Sequence, residues 1–507
     1  MLADSVGTGL RRTQHFPLLP RAAQNSIEHV ANLMCSKPIV VDLDGTLIRS
    51  DVLVESGFAF LKSAPHRFIE PLRWLAGGGK PALKSRLAEH AHIDVSVLPY
   101  NPQVLAWLKE ERAAGRSLAL ATASHERFAN AIAAHLGLFD KVFATNEQVN
   151  LSSHSKRDAL VAEYGEKGFD YVGNSHDDVS VWAAADRAYV VDPFAGVERA
   201  ARKLGNVERV FESRTPQIKI WAKSLRLHQW LKNFLIFVPL LAGHHMNSLP
   251  LILKALIAFI AFGMCASSVY LLNDLLDLED DRHHPVKRKR PLASGAMPLM
   301  WGVALFPVLL AGAIVLATLF LPWRFAAVLG GYYILTLAYS MALKRRVMVD
   351  VVVLAGLYTV RIVAGTAAIG THLTFWLLAF SMFFFLSLAL VKRYAELHSM
   401  QARGLVKTRG RGYVASDLPL VSSLGTASGY ISVLVLAMYI QDHNTASLYR
   451  HPQIIWLACP LMLYWISRAW IIAHRGMMHD DPIVFAARDK TSIAVVALCG
   501  LVFWLAA

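Results

Sequence analysis

Cysteine is scarce in this chain of 507 residues. The four cysteines are Cys35, Cys265, Cys459 and Cys499, and no two of them form a CxxC pair. This spacing excludes a disulfide-stapled scaffold and a zinc site built from paired thiolates. The first thirty residues also lack the compact basic, apolar and small-residue order of a secretory signal peptide. We therefore expect whatever precedes the membrane segments to stay in the cytoplasm.

Charged residues are also few, at 17% of the chain, whereas 55% of the residues are hydrophobic. The apolar residues are unevenly distributed. Short apolar runs alternate with charged stretches up to about Ser213, and after about Trp230 apolar segments recur at about the 20-residue length of a membrane-spanning helix. This shift predicts an N-terminal extension at 1–36, a soluble domain at 37–212, a linker at 213–225 and a membrane domain at 226–507.

The formal net charge of +14 raises the question of nucleic-acid binding. The distribution of the charge argues against it, because much of the basic charge falls in short loops between apolar segments. Loops 282–290, 344–346, 392–411 and 475–490 are rich in Lys and Arg, and the loops between them are poor. By the positive-inside rule the rich loops face the cytoplasm. The sequence predicts a multi-pass protein of the cytoplasmic membrane that binds no nucleic acid.

Each predicted span must be a helix, because an open strand leaves backbone groups unsatisfied in lipid. We expect about nine spans in an all-α membrane domain. Eight are strong, and the ninth, Trp230–Ala242, is weaker. The strong spans are Leu251–Leu272, Met300–Leu321, Phe325–Met341, Val349–Ile369, Phe375–Val391, Leu418–Ile440, Ile454–Ile472 and Ser492–Ala507.

An aspartate-rich segment follows the first strong span. Asn273, Asp277 and Asp281 are spaced four residues apart, so on a helix they share one face. Aligned carboxylates repel one another unless a cation lies between them, and hard oxygen ligands favour Mg²⁺. The basic residues Lys287 and Arg290, with Arg288 between them, follow at once and suit a diphosphate. We interpret Asp277 and Asp281 as catalytic metal ligands, with Asn273 as a further ligand that also contacts substrate.

The segment Asn273–Asp281 resembles NDxxDxxxD, the first signature of the UbiA superfamily of membrane prenyltransferases. The resemblance extends from about Ser224 to the C-terminus. Within the superfamily it is most similar to decaprenyl-phosphate phosphoribosyltransferases, on the strings LHQWLKN at 227–233, DRHHPVKR at 281–288 and KRYAEL at 392–397. That resemblance implies transfer of phosphoribose from phosphoribosyl pyrophosphate to a polyprenyl phosphate. It also implies substrate-binding roles for Lys232 and Lys392.

A second polar cluster differs from the aromatic prenyltransferases, which often have DxxxD at this place. Here a single Asp350 follows Lys344, and we assign Asp350 to the metal and Lys344 to substrate. Arg361 lies eleven residues after Asp350, on the same helical face. An arginine within an apolar span is costly and seldom faces lipid. Phosphate binding and a structural ion pair remain alternatives for Arg361, as do substrate binding and membrane anchoring for Lys344.

The soluble half contains a predicted buried strand at 38–41 followed by Asp42-Leu43-Asp44-Gly45-Thr46. Two carboxylates one residue apart at a strand end suit phosphoryl transfer. Asp42 would attack phosphorus, and Asp44 would protonate the leaving oxygen and later activate water. The DxDGT string resembles the haloacid dehalogenase-like hydrolases. The resemblance covers about Lys37 to Asp192 and implies a Rossmann-like α/β fold.

Further residues follow in the order of that family. Thr122, after an apolar run, is a candidate phosphate-binding hydroxyl, and Lys156 is a candidate phosphate-binding cation. Asn174 and Asp178 match the acidic motif that holds Mg²⁺ together with Asp42 and Asp44. Asn174 stands where the family has an acid, which would weaken metal binding. A small helical cap is expected at about 52–100.

These features predict an enzyme that transfers 5-phosphoribose to a polyprenyl phosphate for envelope or glycoconjugate synthesis, with the soluble domain removing the 5-phosphate of the product. The alternative enzyme is an aromatic prenyltransferase for a quinone or haem. A third reading, a transporter or scaffold, is weakened because internal repeats are not evident. Lipid chain length, the final glycan and a homo-oligomeric state are left open by the sequence.

Overall fold

A computed structural model describes residues 37–506 except 147–149, 194, 213–216, 403, 405–411, 443–448 and 479–480. The predicted N-terminal extension, the first part of the predicted linker and several basic residues of loop 392–411 lie outside the described residues. The chain divides into two compact units, Met1–Arg214 and Thr215–Ala507. We call them the soluble unit and the helical unit and describe each by itself.

The soluble unit is built on a six-stranded, fully parallel sheet with the order β3-β2-β1-β4-β5-β6. The first strand is central and buried on both faces, as parallel sheets require. Residues that follow this strand therefore lie beside the carboxyl ends of the parallel strands on either side of it. The strands are β1 (Ile39–Val41), β2 (Leu118–His125), β3 (Lys141–Thr145), β4 (Asp170–Gly173), β5 (Ala188–Val191) and β6 (Val207–Phe211).

Helices connect these strands and cover the sheet with two apolar clusters, one of which includes Val41 and Trp107 and the other Val40 and Trp182. The alternation of strand and helix confirms the predicted α/β parallel fold. The helices are α1 (Val52–Ser63), α2 (Glu70–His90), α3 (Pro102–Ala113), α4 (Glu126–Leu136), α5 (Ser153–Tyr164), α6 (Val179–Ala184) and α7 (Val197–Arg202).

Helices α1 and α2 lie between β1 and β2, where the sequence predicts a cap. A small apolar cluster of Phe60, Leu87 and Ala91 holds the two helices together. Helix α2 is broken at Gly79, whose φ of 70° and ψ of −163° favour glycine, and Pro81 follows the break. The segment before the break is thus a short helix of its own.

The helical unit contains no strand in its described residues. A 3₁₀ segment, Leu227–Phe237, lies near its start. Its α-helices are α8 (Gln217–Ser224), α9 (Val238–Ala242), α10 (Leu249–Leu276), α11 (Leu278–His283), α12 (Leu299–Phe320), α13 (Trp323–Met341), α14 (Val349–Ile369), α15 (Phe375–Gln401), α16 (Leu418–Gln441), α17 (Ala458–His474), α18 (Pro482–Arg488) and α19 (Lys490–Ala506).

Six of these helical segments, within the described residues, are long and apolar enough to cross a membrane. The count becomes seven if α18 and α19, bent by 85° at their junction, form one span. The predicted nine spans are therefore not confirmed. The weak span Trp230–Ala242 is divided between the 3₁₀ segment and α9, whereas Phe325–Met341 lies in helix α13, which falls outside the six.

Candidate functional sites

The first site lies at the carboxyl end of β1 in the soluble unit. Asp42 follows this strand directly and is buried. The Lys156 ammonium, from α5, donates to Asp42 Oδ1 at 2.7 Å and to the Tyr171 hydroxyl at 3.0 Å. It also lies 3.6 Å from Asp178 Oδ1. Residues 114 positions apart are thus brought together, as the motif order predicts.

Asp44 lies in the loop after β1 and accepts bonds from several donors. The Val52 backbone N–H donates to its Oδ1 at 2.8 Å, at the start of the cap. Its Oδ2 accepts from the Ser124 hydroxyl at 2.6 Å and, more weakly, from Thr122 at 3.5 Å. Thr122 also accepts from the Ser124 backbone N–H at 2.9 Å. Thr122 was predicted from the sequence and Ser124 was not, although Ser124 follows it by two residues on the same strand.

Asp178 and Asn174 form the third side of this site. Asp178 Oδ2 accepts from the backbone N–H groups of Asn174 and Ser175 at 3.0 and 2.9 Å, and its Oδ1 accepts from Tyr171 at 2.8 Å. The Asn174 side chain packs over Gly45, where an added Cβ would lie 2.1 Å from Asn174 Nδ2. Gly45 has a φ of 78° and therefore suits this close approach.

Carboxylates outnumber cations at this site. Burial and the nearby Asp178 carboxylate raise the pKa of Asp42 to about 6 in spite of the Lys156 ammonium. Burial, Asp51 and Asp42 raise the pKa of Asp44 to about 7. Three carboxylates around one lysine leave an excess of negative charge, and their oxygens are ligands that Mg²⁺ prefers. The residues present fit a divalent cation.

The second site is the aspartate-rich segment of the helical unit. Helix α10 ends at Leu276 and α11 begins at Leu278, so Asp277 lies at an interruption. The Asp277 N–H nevertheless donates to the Asn273 carbonyl at 2.9 Å, and the Asp281 N–H donates to the Asp277 carbonyl at 2.8 Å. Helical i→i−4 bonds therefore connect the three residues in spite of the break.

Basic side chains pair with the carboxylates of this segment. Arg290 contacts Asp281 closely and lies 3.1 Å from Asp274 Oδ1, and Arg226 also pairs with Asp274.

Lys344 Nζ lies 3.4 Å from Asp277 Oδ2. Lys287 Nζ is 3.8 Å from Asp281 Oδ1, whereas Arg288 is exposed. Burial raises the pKa of Asp281 although Arg290 opposes the shift. The oxygen ligands suit Mg²⁺, which would share them with these cations.

Asp350 lies in a buried polar group at the start of α14. Its Oδ2 is 2.6 Å from Arg393 Nη2, and both side chains are 0% exposed. Its Oδ1 accepts from the Tyr413 hydroxyl at 2.6 Å. Arg393 also pairs with Glu396. Arg393 therefore supplies a positive charge at the position where the sequence predicts a metal ligand.

Arg361 is buried in α14 and has no carboxylate partner among the described residues. Its Nε donates to Asn233 Oδ1 at 3.0 Å, and its Nη2 donates to the Tyr332 hydroxyl at 3.3 Å. The guanidinium also lies 5.2 Å from the ring centroids of Phe262 and Tyr332. The structural ion pair, which was the alternative role for Arg361, is therefore absent among the described residues.

A cationic cluster lies around the buried Asp481, directly before α18. Asp481 Oδ2 accepts from Lys232 at 2.8 Å and from Lys392 at 3.0 Å. The Tyr358 hydroxyl lies 3.1 Å from both oxygens of Asp481. The Tyr358 ring is 5.2 Å from Lys232 Nζ and 5.9 Å from the Arg361 guanidinium. Two residues predicted to bind substrate, Lys232 and Lys392, thus pair with one aspartate, and a third, Arg361, lies beside the tyrosine that also contacts it.

Asn233 supplies an unused donor beside this cluster. The residue is 1% exposed and its Oδ1 faces Arg361, but its Nδ2 has no hydrogen-bond partner in the described part of the chain. A buried amide without a partner costs free energy. Three cations, one carboxylate and a spare donor together suit an anion with several acceptor oxygens.

The sequence did not predict four residues that take part in these contacts: Asp274, Tyr358, Arg393 and Asp481. Asp274 is the second residue of the NDxxDxxxD signature and could have been predicted from it. Tyr358 precedes Arg361 by one helical turn, which is a weaker signal. Asp481 could not have been found by spacing, because its partner Lys232 is 249 positions away.

Two family models match the chain. Residues 234–505 match the UbiA prenyltransferase family, and residues 39–182 match the haloacid dehalogenase-like hydrolases. Among solved structures, a UbiA homologue from Archaeoglobus fulgidus with GPP and Mg²⁺ has 17% identity and a TM-score of 0.43, covering 56% of this chain and 99% of its own. A phosphoserine phosphatase has 15% identity and a TM-score of 0.27, covering 35% and 94%.

Three relatives match different shares of the chain. "Uncharacterized protein y4nM" of Sinorhizobium fredii is 38% identical over 96% of this chain and 95% of its own length. The nodulation protein NoeC of Azorhizobium caulinodans is 36% identical over 56% and 92%. The decaprenyl-phosphate phosphoribosyltransferase of Mycobacterium tuberculosis is 33% identical over 53% and 87%. The chain belongs to the UbiA prenyltransferase family and carries an N-terminal haloacid dehalogenase-like domain.

Proposed function

We propose that the helical unit transfers 5-phosphoribose from phosphoribosyl pyrophosphate to a polyprenyl phosphate. The observation that carries the proposal is a cationic cluster in which Lys232 and Lys392 pair with the buried Asp481, while Arg361 lies beside Tyr358, whose hydroxyl also contacts Asp481. These groups have a net charge of +2. A phosphate monoester carries a charge of about −1.5 to −2 at neutral pH, so it matches the cluster. The names of the relatives at 33% identity support the same reaction.

In this proposal the aspartate-rich segment binds the sugar donor. Asn273, Asp277 and Asp281 would hold Mg²⁺. The sequence also predicts Asp350 as a ligand, but its carboxylate is already engaged by Arg393 and Tyr413. The ion would neutralise the pyrophosphate leaving group. Lys287, Arg288, Arg290 and Lys344 would bind the remaining diphosphate oxygens, and at least two of them already face carboxylates of this segment.

The chemistry then requires little proton transfer. An oxygen of the lipid phosphate forms a new bond to the anomeric carbon of ribose, while the bond from that carbon to pyrophosphate breaks. The lipid phosphate is already ionised at neutral pH, so a general base is not needed. Lys232, Arg361 and Lys392 orient the phosphate, and fixed charges in a partly dry site stabilise the developing charge.

We further propose that the soluble unit removes the 5-phosphate from the lipid-linked product in the cytoplasm. Asp42 would attack phosphorus and form an aspartyl phosphate, while Asp44 protonates the departing sugar oxygen. Asp44 would then activate the water that releases phosphate. Lys156 and Thr122 would bind the phosphoryl oxygens, and Asp42, Asp44, Asn174 and Asp178 would hold Mg²⁺.

Purified full-length protein tests the transfer reaction. It is incubated with labelled phosphoribosyl pyrophosphate and a panel of prenyl phosphates and prenyl diphosphates, with Mg²⁺ or with chelator. We expect label in the lipid fraction only with prenyl monophosphates and Mg²⁺. Transfer of the prenyl group from a diphosphate to an aromatic acceptor would instead support the aromatic prenyltransferase alternative and contradict the proposal.

Lys392→Gln tests the acceptor cluster. Lys392 is about one-third exposed, so the change should leave the fold intact. We expect the KM for the lipid phosphate to rise about tenfold, because one charge-assisted contact is lost, while the KM for phosphoribosyl pyrophosphate stays the same. Lys254→Gln, in helix α10 of the same unit, is the control. Equal effects on both KM values would contradict the assignment of the cluster to the acceptor.

A further inference from the structure

The cap of the soluble unit carries an exposed apolar surface. Phe68, Ile69, Leu72 and Leu75 are 62%, 45%, 65% and 42% exposed, and we call these four side chains the cap patch. Only one other large apolar side chain in the described part of the soluble unit, Leu204 at 38%, is comparably exposed. Isolated exposed apolar residues are ordinary, but four within eight residues indicate an interaction surface.

The cap patch is a stripe on one helical face. Phe68 and Ile69 already have helical backbone angles before α2 begins at Glu70. Phe68, Leu72 and Leu75 therefore follow the i, i+4, i+7 spacing of a single face. Trp74 points elsewhere and packs on Phe60 at 5.1 Å between ring centroids. The inner packing holds the helix in place, and the patch is left for a partner.

Basic side chains accompany the cap patch. Arg73 lies within it in sequence and Lys80 follows it, and both are exposed and lack an ion-pair partner in the described part of the chain. Arg67 is paired with Glu70 at 2.7 Å. A helix with an apolar stripe and cations at its edge is typical of segments that lie in the surface of an anionic membrane.

We propose that the cap patch binds the surface of an anionic lipid bilayer. The soluble unit is covalently joined to a unit with at least six apolar helices of membrane-spanning length, so a bilayer is always available to it. A second copy of the chain is a weaker match, since a stable protein interface needs about 20 residues from each partner. Four neighbouring side chains with unpaired cations suit lipid better.

Membrane binding by the cap bears on the phosphatase site through helix α2. Beyond the break at Gly79, Lys84 of the same helix donates to the Ala123 carbonyl at 2.7 Å. Ala123 precedes Ser124, the residue that donates to Asp44. The segment of α2 that follows the break therefore contacts the site, and the patch lies on the short helix joined to it. A substrate whose lipid tail remains in the bilayer would be presented beside that helix.

Hydrogen exchange of the full-length protein tests this proposal. Exchange over residues 64–76 is followed by mass spectrometry in detergent, in phosphatidylcholine nanodiscs and in nanodiscs that also contain phosphatidylglycerol. We expect the slowest exchange with phosphatidylglycerol and the fastest in detergent, because lipid binding suppresses local opening of the helix. The double variant Phe68→Asp/Leu72→Asp should lose this slowing.

Leu204→Asp is the matched control, since it places a charge at the exposed apolar residue outside the patch, and it should retain the slowing. Unchanged exchange in strands β1 and β2 verifies that each variant is folded. Equal exchange over residues 64–76 in all three environments would overturn the proposal. Slowing that grows with protein concentration in detergent would also overturn it and would indicate a second copy as the partner.

Discussion

The two units arrange charge in opposite ways. In the soluble unit, Asp42, Asp44 and Asp178 meet one lysine, and burial with mutual repulsion raises the pKa of Asp42 and Asp44. Around Asp481 in the helical unit, one buried carboxylate pairs with two lysines, the buried Lys232 and the one-third exposed Lys392. An excess of carboxylates requires a cation, whereas an excess of cations suits an anion. The net charge of each of these two clusters therefore indicates the type of ligand that the cluster suits.

The aspartate-rich segment lies between these extremes. Asp274, Asp277 and Asp281 are paired with Arg226, Arg290 and Lys344, so the carboxylates are balanced by protein cations. In the proposed reaction, these carboxylates would hold Mg²⁺, and the cations that now pair with them would bind the donor diphosphate.

Asp350→Asn should destabilise the helical unit by about 3–5 kcal/mol, because it removes the fully buried carboxylate partner of Arg393 and leaves only the partly exposed Glu396. Thermal unfolding of the detergent-solubilised protein measures the loss. Asp280→Asn, an exposed acid, is the control and should change little. Unchanged stability together with lost Mg²⁺ dependence would instead support the predicted role of Asp350 as a metal ligand.

Asp277→Asn should lower phosphoribosyl transfer by about 10²–10³-fold, because stabilisation of the leaving pyrophosphate is lost. Its stability should change little, since Asp277 is partly exposed and its contact with Lys344 is long. Initial rates at several Mg²⁺ concentrations measure the effect. Wild-type rates in Asp277→Asn would show that the aspartate-rich segment does not bind the metal. The charge of a cluster would then not indicate its ligand.

Asn174→Asp should raise the apparent Mg²⁺ affinity of the soluble unit about tenfold, because it adds a charged oxygen ligand of nearly the same shape. Phosphate release from a small phosphate ester, titrated with Mg²⁺, measures the change. Asp177→Asn alters one charge at an exposed position of the same loop and should have a smaller effect. Equal and opposite effects would mean that only long-range charge is felt.

Asp44→Asn should stabilise the soluble unit in the absence of Mg²⁺. The folded protein has a raised pKa at Asp44, about 7 against 3.8, so the wild type loses stability as pH rises between these values. The benefit of the amide should therefore grow from pH 4 to pH 7 and then level off. We expect on the order of 1 kcal/mol, since partial exposure screens the charge. Hydrogen exchange of β1 and β2 across this pH range measures it.

The sequence predicted the soluble site more completely than the helical one. Asp42, Thr122, Lys156 and Asp178 follow a motif order tied to strand ends, and a parallel sheet brings its strand ends together. Helices allow many packings, so spacing could not pair Asp350 with Arg393 or Lys232 with Asp481. The helix break at Asp277 and the division of the weak span at residues 230–242 also depend on tertiary packing that hydropathy does not contain.

The mass of the lipid product made by wild type and by Asp42→Asn decides whether the two units act in sequence on one lipid. Both full-length proteins are given phosphoribosyl pyrophosphate, a polyprenyl phosphate and Mg²⁺, and the lipids are analysed by mass spectrometry. We expect a lipid-linked pentose from the wild type and a lipid-linked pentose phosphate from Asp42→Asn. Absence of any pentose on the lipid in both samples, or the same product from both, would contradict it.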